Sequence, residues 1–356
     1  MSEPNADPQV HDLLFTALRT VVEGQTLSEE QARNAFQELM EGNSDPYQTA
    51  ALLGILAQRG ETEEEIRGAA RVMREKCIPI RESGKGLLDT CGTGGDGLGT
   101  YNISTTAAIL CAAAGMPVAK HGNRSVSSRS GSADVLEKLG VNLSLTPSQI
   151  DECLTEVGIA FCFAPLLHAA MKHVVPIRKA LKLRTLFNFL GPLTNPAHAE
   201  FQLIGTIRKA WAEKLARVMS GLETTRTLVV CGNNELDEIA LWGTTAVFQI
   251  SGNSIEELEW TASDFGMEEC SPQDLQAESA EQSAEIIRNI LEGQPGPCRD
   301  IAVANAAAAL WTAGKVSTLG EGVDEISKVI STGQGLVLLE KLASTTQRLA
   351  TTVDQD

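Results

Sequence analysis

The stretch Asp89-Thr-Cys-Gly-Thr-Gly-Gly-Asp-Gly-Leu-Gly-Thr-Tyr-Asn-Ile-Ser-Thr105 gathers residue types that hold anions. Gly92, Gly94, Gly95, Gly97 and Gly99 free the backbone to fold tightly and to bring bare N–H groups against a ligand. Such a turn forms an anion-binding concavity. Asn102, Ser104 and Thr105 follow with polar side chains, and an apolar helical run comes next, Ala107 to Ala114. A strand, a glycine loop and a helix N-terminus in that order make a phosphate site, because N–H groups and the helix dipole face the ligand together.

Two familiar phosphate ligand classes do not fit. A Walker loop ends in Gly-Lys-Ser/Thr, which is absent here. A dinucleotide site places an acidic residue about twenty positions on, to hold a ribose hydroxyl. Here the next strand-like run, Pro117-Val-Ala, leads into Lys120-His-Gly-Asn-Arg124. Basic residues suit a ligand with more phosphate. The segment continues to Ser132 and offers Lys120, Arg124 and Arg129 as charges, with Ser127, Ser128 and Ser132 as donors. A solvated surface loop is the alternative, but two anion-seeking segments in successive strand–loop units favour a ligand.

Two further segments carry candidate chemistry. Arg178 lies ten residues after His168 in an apolar-rich region broken by Pro176, followed by Arg184-Thr-Leu-Phe-Asn188 and Gly191-Pro-Leu-Thr-Asn-Pro196. An arginine there needs an anionic partner. A substrate carboxylate would serve through bidentate bonds, and an internal Asp or Glu would serve equally. Glu235-Leu-Asp237-Glu238 follows a strand-like run ending near Cys231. Adjacent carboxylates can hold Mg²⁺ bridged to phosphates or can simply face solvent. Position favours the first, since ligands of open α/β sheets gather at the carboxyl ends of strands.

These loops need a scaffold. The chain has 356 residues and is 43% apolar, enough for two domains with a substantial core. The first eighty residues read as helices. Val10, Leu13, Leu14, Ala17, Leu18 and Val21 share a face. Ser28 with Gln31 forms a capping box, Asp45-Pro46 opens a third helix, and Thr62 with Glu65 a fourth. From Gly84 the pattern changes. Leu87-Leu-Asp, Pro117-Val-Ala, Ile159–Phe163, Phe201–Gly205 and Thr227–Val230 are short buried strands separated mostly by helical stretches. That alternation predicts a mostly parallel sheet flanked by helices. Residues 165–192 read as short helices that pack back onto the N-terminal ones. The domains are therefore 1–84, a small all-helical domain joined by 165–192, and 85–164 with 193–356, an α/β phosphate-binding domain. Ala277 to Gly293 reads as a surface helix.

The formal charge of −17 argues against a duplex-binding surface. No run of about 18 apolar residues suggests a membrane span, and the first residues lack the features of a signal peptide. Eight scattered cysteines without Cys-x-x-Cys point to reduced, buried thiols in a cytosolic protein.

Together the segments resemble the anthranilate phosphoribosyltransferase family. The matches are Gly92-Thr-Gly-Gly-Asp96, Asn102-Ile-Ser-Thr105, Lys120-His-Gly-Asn-Arg124, Ser130-Gly-Ser-Ala-Asp134, Arg184-Thr-Leu-Phe-Asn188, Gly191-Pro-Leu-Thr-Asn-Pro196 and Leu236-Asp-Glu238. They stand in the family's order and cover most of the chain. The resemblance implies a nucleoside phosphorylase/phosphoribosyltransferase-like fold. It implies transfer of the phosphoribosyl group from 5-phosphoribosyl-1-pyrophosphate (PRPP) to the amino group of anthranilate, releasing pyrophosphate, with Mg²⁺, in tryptophan biosynthesis. It further implies a cytoplasmic homodimer joined through the helical domain, with the site between the domains. Carried over residue by residue, Gly92, Gly94, Gly95, Asp96, Thr100, Asn102, Ser104, Thr105, Lys120 and Ser132 bind PRPP. Gly92, Asn123, His168, Arg178 and Pro192 bind anthranilate. Ser104, Asp237 and Glu238 serve the metal, and His121 takes the amine proton or shapes the pocket. The chain departs from the usual family pattern at Ala169, Lys182, Cys231 and Glu235, which bear on the acceptor segment and the metal loop. Two alternatives share the fold: a paralogue using another aromatic amine, and a non-catalytic nucleic-acid-binding relative, which the acidic charge and intact motifs disfavour.

Overall fold

The N-terminal helices start where polar side chains satisfy their free N–H groups. In the computed structural model, which describes residues 12–80, 85–125 and 130–351, the Ser28 hydroxyl accepts from Gln31 N while the Gln31 side chain accepts from Ser28 N. This box opens helix Glu29–Glu41. Asp45 caps Pro46–Arg59 from its side chain. Thr62 and Glu65 exchange the same reciprocal bonds ahead of Glu63–Lys76. The first helix runs Leu13–Val22 and buries Leu14, Ala17 and Val21. Leu13 is exposed, so the buried stripe is narrower than the sequence suggests. Val10 lies outside the described residues, as do His11, Ser127, Ser128 and Arg129.

The chain divides into two compact units. One comprises the described residues through Lys76 together with Ala169–Leu190. In it, Phe187 packs its ring 5.8 Å from that of Phe36, itself fully buried. Helix Val175–Leu181 ends at Lys182, whose φ of 51° is the left-handed conformation that glycine adopts freely. A lysine there bears about 1 kcal/mol of backbone strain.

The other unit takes in the described residues of Cys77–His168 and Gly191–Asp356. Its sheet contains β1 (Leu88–Gly92), β2 (Val118–Gly122), β3 (Ile159–Phe163), β4 (Phe201–Gly205), β5 (Arg226–Gly232), β6 (Thr245–Ser251) and β7 (Ser254–Trp260). The order is β3-β2-β1-β4-β5-β6-β7. The first five strands are parallel. The β6–β7 hairpin adds an antiparallel edge that the sequence reading did not include. The chain steps outward from β1 to β3, then returns to place β4 on the other side of β1. That reversal is a topological switch point, where strand ends open a crevice for ligands. Helices Ile103–Ala113 and Pro297–Thr312, both almost wholly buried, pack on each other and on the sheet. Among the described residues no helix is long and apolar enough to cross a membrane.

Candidate active site

Three neighbouring parallel strands, β1, β4 and β5, each end in glycine, and the reason is the segment that crosses their ends. After Gly232 the chain turns through Asn233 and Asn234, both at positive φ. Gly232 and Leu236 then exchange backbone hydrogen bonds of 2.9 Å each. Leu236 is fully buried and anchors the turn. Asp237 and Glu238 are thereby laid across the strand ends. A Cβ on Gly205 would overlap the Asp237 carbonyl, and one on Gly92 would overlap the Asp237 carboxylate. Beyond the pair, the buried Asn305 clamps the chain: its Oδ1 accepts from Ile239 N at 2.9 Å and its Nδ2 donates to Ile239 O at 3.0 Å. Asn305 was missed in the sequence, although a lone Asn in Ile301-Ala-Val-Ala-Asn-Ala-Ala-Ala-Ala309 was a usable signal, since buried polar groups are there to be bonded.

The glycine loop faces this pair. Asp237 Oδ2 accepts from Gly94 N at 2.6 Å. Asp96 accepts from Leu98 N and also meets the Asp237 side chain, and burial pushes its carboxyl above the ordinary range. The far limb is pinned by Ala277 N to Gly99 O and by an antiparallel bridge between Thr100 and Gln276. Gly94, Gly95 and Gly97 remain exposed and at positive φ. Glu238 Oε1 accepts from Ser104 N at 3.0 Å, in the first turn of the helix after the loop. Burial, and then the neighbouring Asp237 charge, push Glu238 up to about 8, while Lys120 opposes the shift.

Lys120 is 3% exposed on β2. Its ammonium donates to Thr90 O at 2.5 Å and to Ser104 Oγ at 3.3 Å. One residue on, His121 N donates to the buried Asp89 carboxylate at 3.1 Å. His121 Nδ1 lies 3.0 Å from Gly191 O, and its Nε2 lies 3.2 Å from His168 Nε2. A carbonyl only accepts, so Nδ1 carries the His121 proton, while His168 is bonded in turn to the Thr194 backbone. Burial lowers His121 to about 3 and His168 to about 4, so both rings are neutral near pH 7.

The loop, the first turn of Ile103–Ala113, Lys120, Asp237 and Glu238 therefore converge. Asn123 and Ser132 lie beyond β2, where Ser132 Oγ donates to Asn123 O at 3.4 Å. Pro192 is buried and accepts from Gln202 Nε2 through its carbonyl. Thr105 is buried and its hydroxyl has no partner among the described residues. Arg178 lies in the helical unit, 5.5 Å over the Phe187 ring, with no carboxylate partner among the described residues. Arg124, counted in the sequence as an anion-seeking charge, is instead paired with Asp134 at 3.0 Å and Glu137 at 2.6 Å. Glu235 is held away from the acidic pair, accepting from Trp242 Nε1 and Asn233 Nδ2.

No group of three His, Cys, Asp or Glu side chains among the described residues is arranged to hold a metal alone. Two adjacent half-buried carboxylates, one pushed up by desolvation and then by its neighbour's charge, nevertheless fit a divalent cation completed by ligand oxygens. Mg²⁺ is commonly bound in that way, through one or two carboxylates and substrate phosphates.

Residues 84–336 match a family model described as the glycosyl transferase family a/b domain, and residues 16–77 match that family's helical bundle domain. Such a pair of domains defines a glycosyl transferase. An anthranilate phosphoribosyltransferase of Symbiobacterium thermophilum is 46% identical over 332 residues, covering 93% of this chain and 97% of that protein. The crystal structure of the Thermus thermophilus anthranilate phosphoribosyltransferase superposes with a TM-score of 0.88 at 39% identity, covering 93% and 99% of the two chains. The Saccharomyces cerevisiae enzyme in complex with PRPP and Mg gives a TM-score of 0.88 at 26% identity, covering 95% and 99%. The chain belongs to the anthranilate phosphoribosyltransferase family.

Proposed function

We propose that this chain transfers the 5-phosphoribosyl group of PRPP to the amino group of anthranilate, releasing pyrophosphate. The observation that carries this proposal is the convergence of a buried ammonium, Lys120, and a half-buried carboxylate pair, Asp237 and Glu238, on the glycine loop and the helix turn after it. A polyanion bound there meets a fixed cation and the exposed glycine loop on one side and cation-binding carboxylates on the other. The relatives' shared name and the PRPP and Mg of the yeast complex point the same way.

As the anomeric bond breaks, positive charge grows on the ribose and negative charge on pyrophosphate. Lys120 and the loop N–H group of Gly95 stabilise the departing charge. Mg²⁺ held through Asp237 and Glu238, with Ser104 beside them, would supply further charge stabilisation. Asn102, Thr100, Thr105 and Ser132 give polar anchorage to the phosphates and ribose. The aromatic amine is neutral at pH 7 and needs no strong base. His121, lowered to about 3, is too weak a base to remove its proton early. Its part is to fix the pocket wall with His168, and positioning supplies most of the rate.

Arg178 takes the anthranilate carboxylate, since burial disfavours its charge and no internal carboxylate answers it among the described residues. Arg178→Ala raises KM for anthranilate by about tenfold or more, the value of a lost charge-assisted bond, and leaves KM for PRPP within twofold. Equal rises in both constants remove the assignment.

The helical unit exposes Phe15, Val22, Tyr47 and Leu183, apolar surface that a second copy would cover, and we assign the homodimer contact to this unit. Sedimentation at the mass of one chain at micromolar concentration overturns that assignment. Eight free cysteines suit the cytoplasm. The decisive experiment mixes the protein with PRPP, Mg²⁺ and anthranilate and follows anthranilate fluorescence. Magnesium-dependent loss of signal with release of pyrophosphate is expected. No loss with anthranilate, but turnover of another aminobenzoate in a substituted panel, transfers the activity to a paralogue.

A further inference from the structure

Helix Ile103–Ala113 starts at Asn102, yet the Asn102 side chain makes no capping hydrogen bond to it. An N-cap Asn ordinarily uses Oδ1 to accept from the second or third helical N–H. Here Oδ1 is taken from outside, by Ser283 Oγ at 2.9 Å and Ser130 Oγ at 3.1 Å. Ser283 also accepts from Asn102 N at 3.0 Å. One hydroxyl on helix Ala280–Leu291 thus closes a two-bond clip on the backbone and side chain of a residue 181 positions earlier. Ser283 is 0% exposed, so water does not replace it.

The clip decides which way the amide points. Two hydroxyl donors on one atom require that atom to be the oxygen, which turns the NH₂ end away from them. Nδ2 bonds to none of the described residues. The first turn is bonded instead from outside at Ser104, whose N–H meets Glu238 and whose hydroxyl meets Lys120.

We propose that Ser283 is a positioning residue for the phosphate site: it orients Asn102 so that Nδ2 donates to the phosphoryl or ribose oxygens of bound PRPP. This rests on PRPP being the ligand of the loop. Removing the hydroxyl leaves the amide held only by the longer Ser130 bond, so that it can rotate or cap its own helix, and either change withdraws the donor. The electrostatic partners of the reaction, Lys120, Asp237 and Glu238, stay in place.

The test is a double-mutant cycle of Ser283→Ala and Asn102→Ala in the full chain, with PRPP–Mg²⁺ affinity measured by calorimetry alongside steady-state rates. Ser283→Ala raises KM and Kd for PRPP about tenfold, with kcat and KM for anthranilate within twofold. The double variant binds no more weakly than Asn102→Ala alone, because the serine acts only through the asparagine. Additive losses, or an unchanged Kd in Ser283→Ala, overturn the proposal. A merely structural serine lowers the melting temperature without that non-additivity. Should Ser283→Ala fail to fold, Ser283→Cys keeps the volume with a weaker donor, and a rise in Kd of at least threefold is expected from it. A wild-type chain that binds PRPP but does not turn over anthranilate refutes the assigned reaction while leaving the clip to be judged by calorimetry.

Discussion

Asp237→Asn lowers kcat/KM for PRPP by about 10²–10³-fold, the scale of losing one fixed contributor to leaving-group stabilisation, and moves the Mg²⁺ titration to higher concentration. The substitution keeps the side-chain shape and the acceptor for Gly94 N, so a deficit reports charge. Glu238→Gln acts in the same direction. The pH dependence has a definite sign. Glu238 is pushed up to about 8 without a cation, so below that pH the proton holds the site and the metal must displace it. Apparent Mg²⁺ affinity therefore falls as pH falls from 8 towards 6, by up to about tenfold per unit for one displaced proton, and flattens above 8. In Glu238→Gln that slope disappears. A metal titration indifferent to pH and to both substitutions removes the pair from the metal site.

Gly205→Ala destabilises the α/β unit by about 3 kcal/mol or more and takes activity with it. The added methyl would overlap the Asp237 carbonyl, and two backbones meeting this closely have no rotamer with which to relieve the clash. The neighbouring segment is held on both sides, by the Gly232–Leu236 bonds and by Asn305, so it cannot move out of the way as a flexible side chain would. Trp211, Trp242, Trp260 and Trp311 all lie in this unit, and their fluorescence in urea reads its unfolding directly. Gly54→Ala is the control. Gly54 sits inside helix Pro46–Arg59 with nothing near the added Cβ, and Ala there stabilises by about 0.5–1 kcal/mol. A Gly205→Ala protein with the wild-type urea midpoint means that the acidic segment is not seated on the strand ends.

The elements that carry local signals were legible in the sequence. Capping residues mark the helical starts, and β3 and β4 coincide with their apolar runs to the residue. The hairpin was lost because β7, Ser254-Ile-Glu-Glu-Leu-Glu-Trp260, is an edge strand with most of its residues exposed. Its charges look like loop but suit an edge that must not pair with another chain. The signal was present all the same: Gly252-Asn253 between two strand-length runs, with Ser251 paired to Ser254, is a two-residue hairpin turn. At the site, the residue types were legible and their partners were not. Arg124 reads as a free cation until Asp134 and Glu137 are seen to hold it. Asn305 and Ser283 read as ordinary helix residues, because what they do depends on chain segments 66 and 181 positions away.

The return of Ala169–Leu190 to the N-terminal helices has a consequence for synthesis. Phe36 leaves the ribosome long before the Phe187 ring that covers it. At about 5–20 residues per second the interval is on the order of ten seconds. For that time the nascent bundle shows an open apolar seat, while β1 waits over a shorter interval for β4, its neighbour across the switch point. A chaperone that shelters nascent chains has its natural target in this window, and a fragment ending at Lys76 would carry the same uncovered seat permanently.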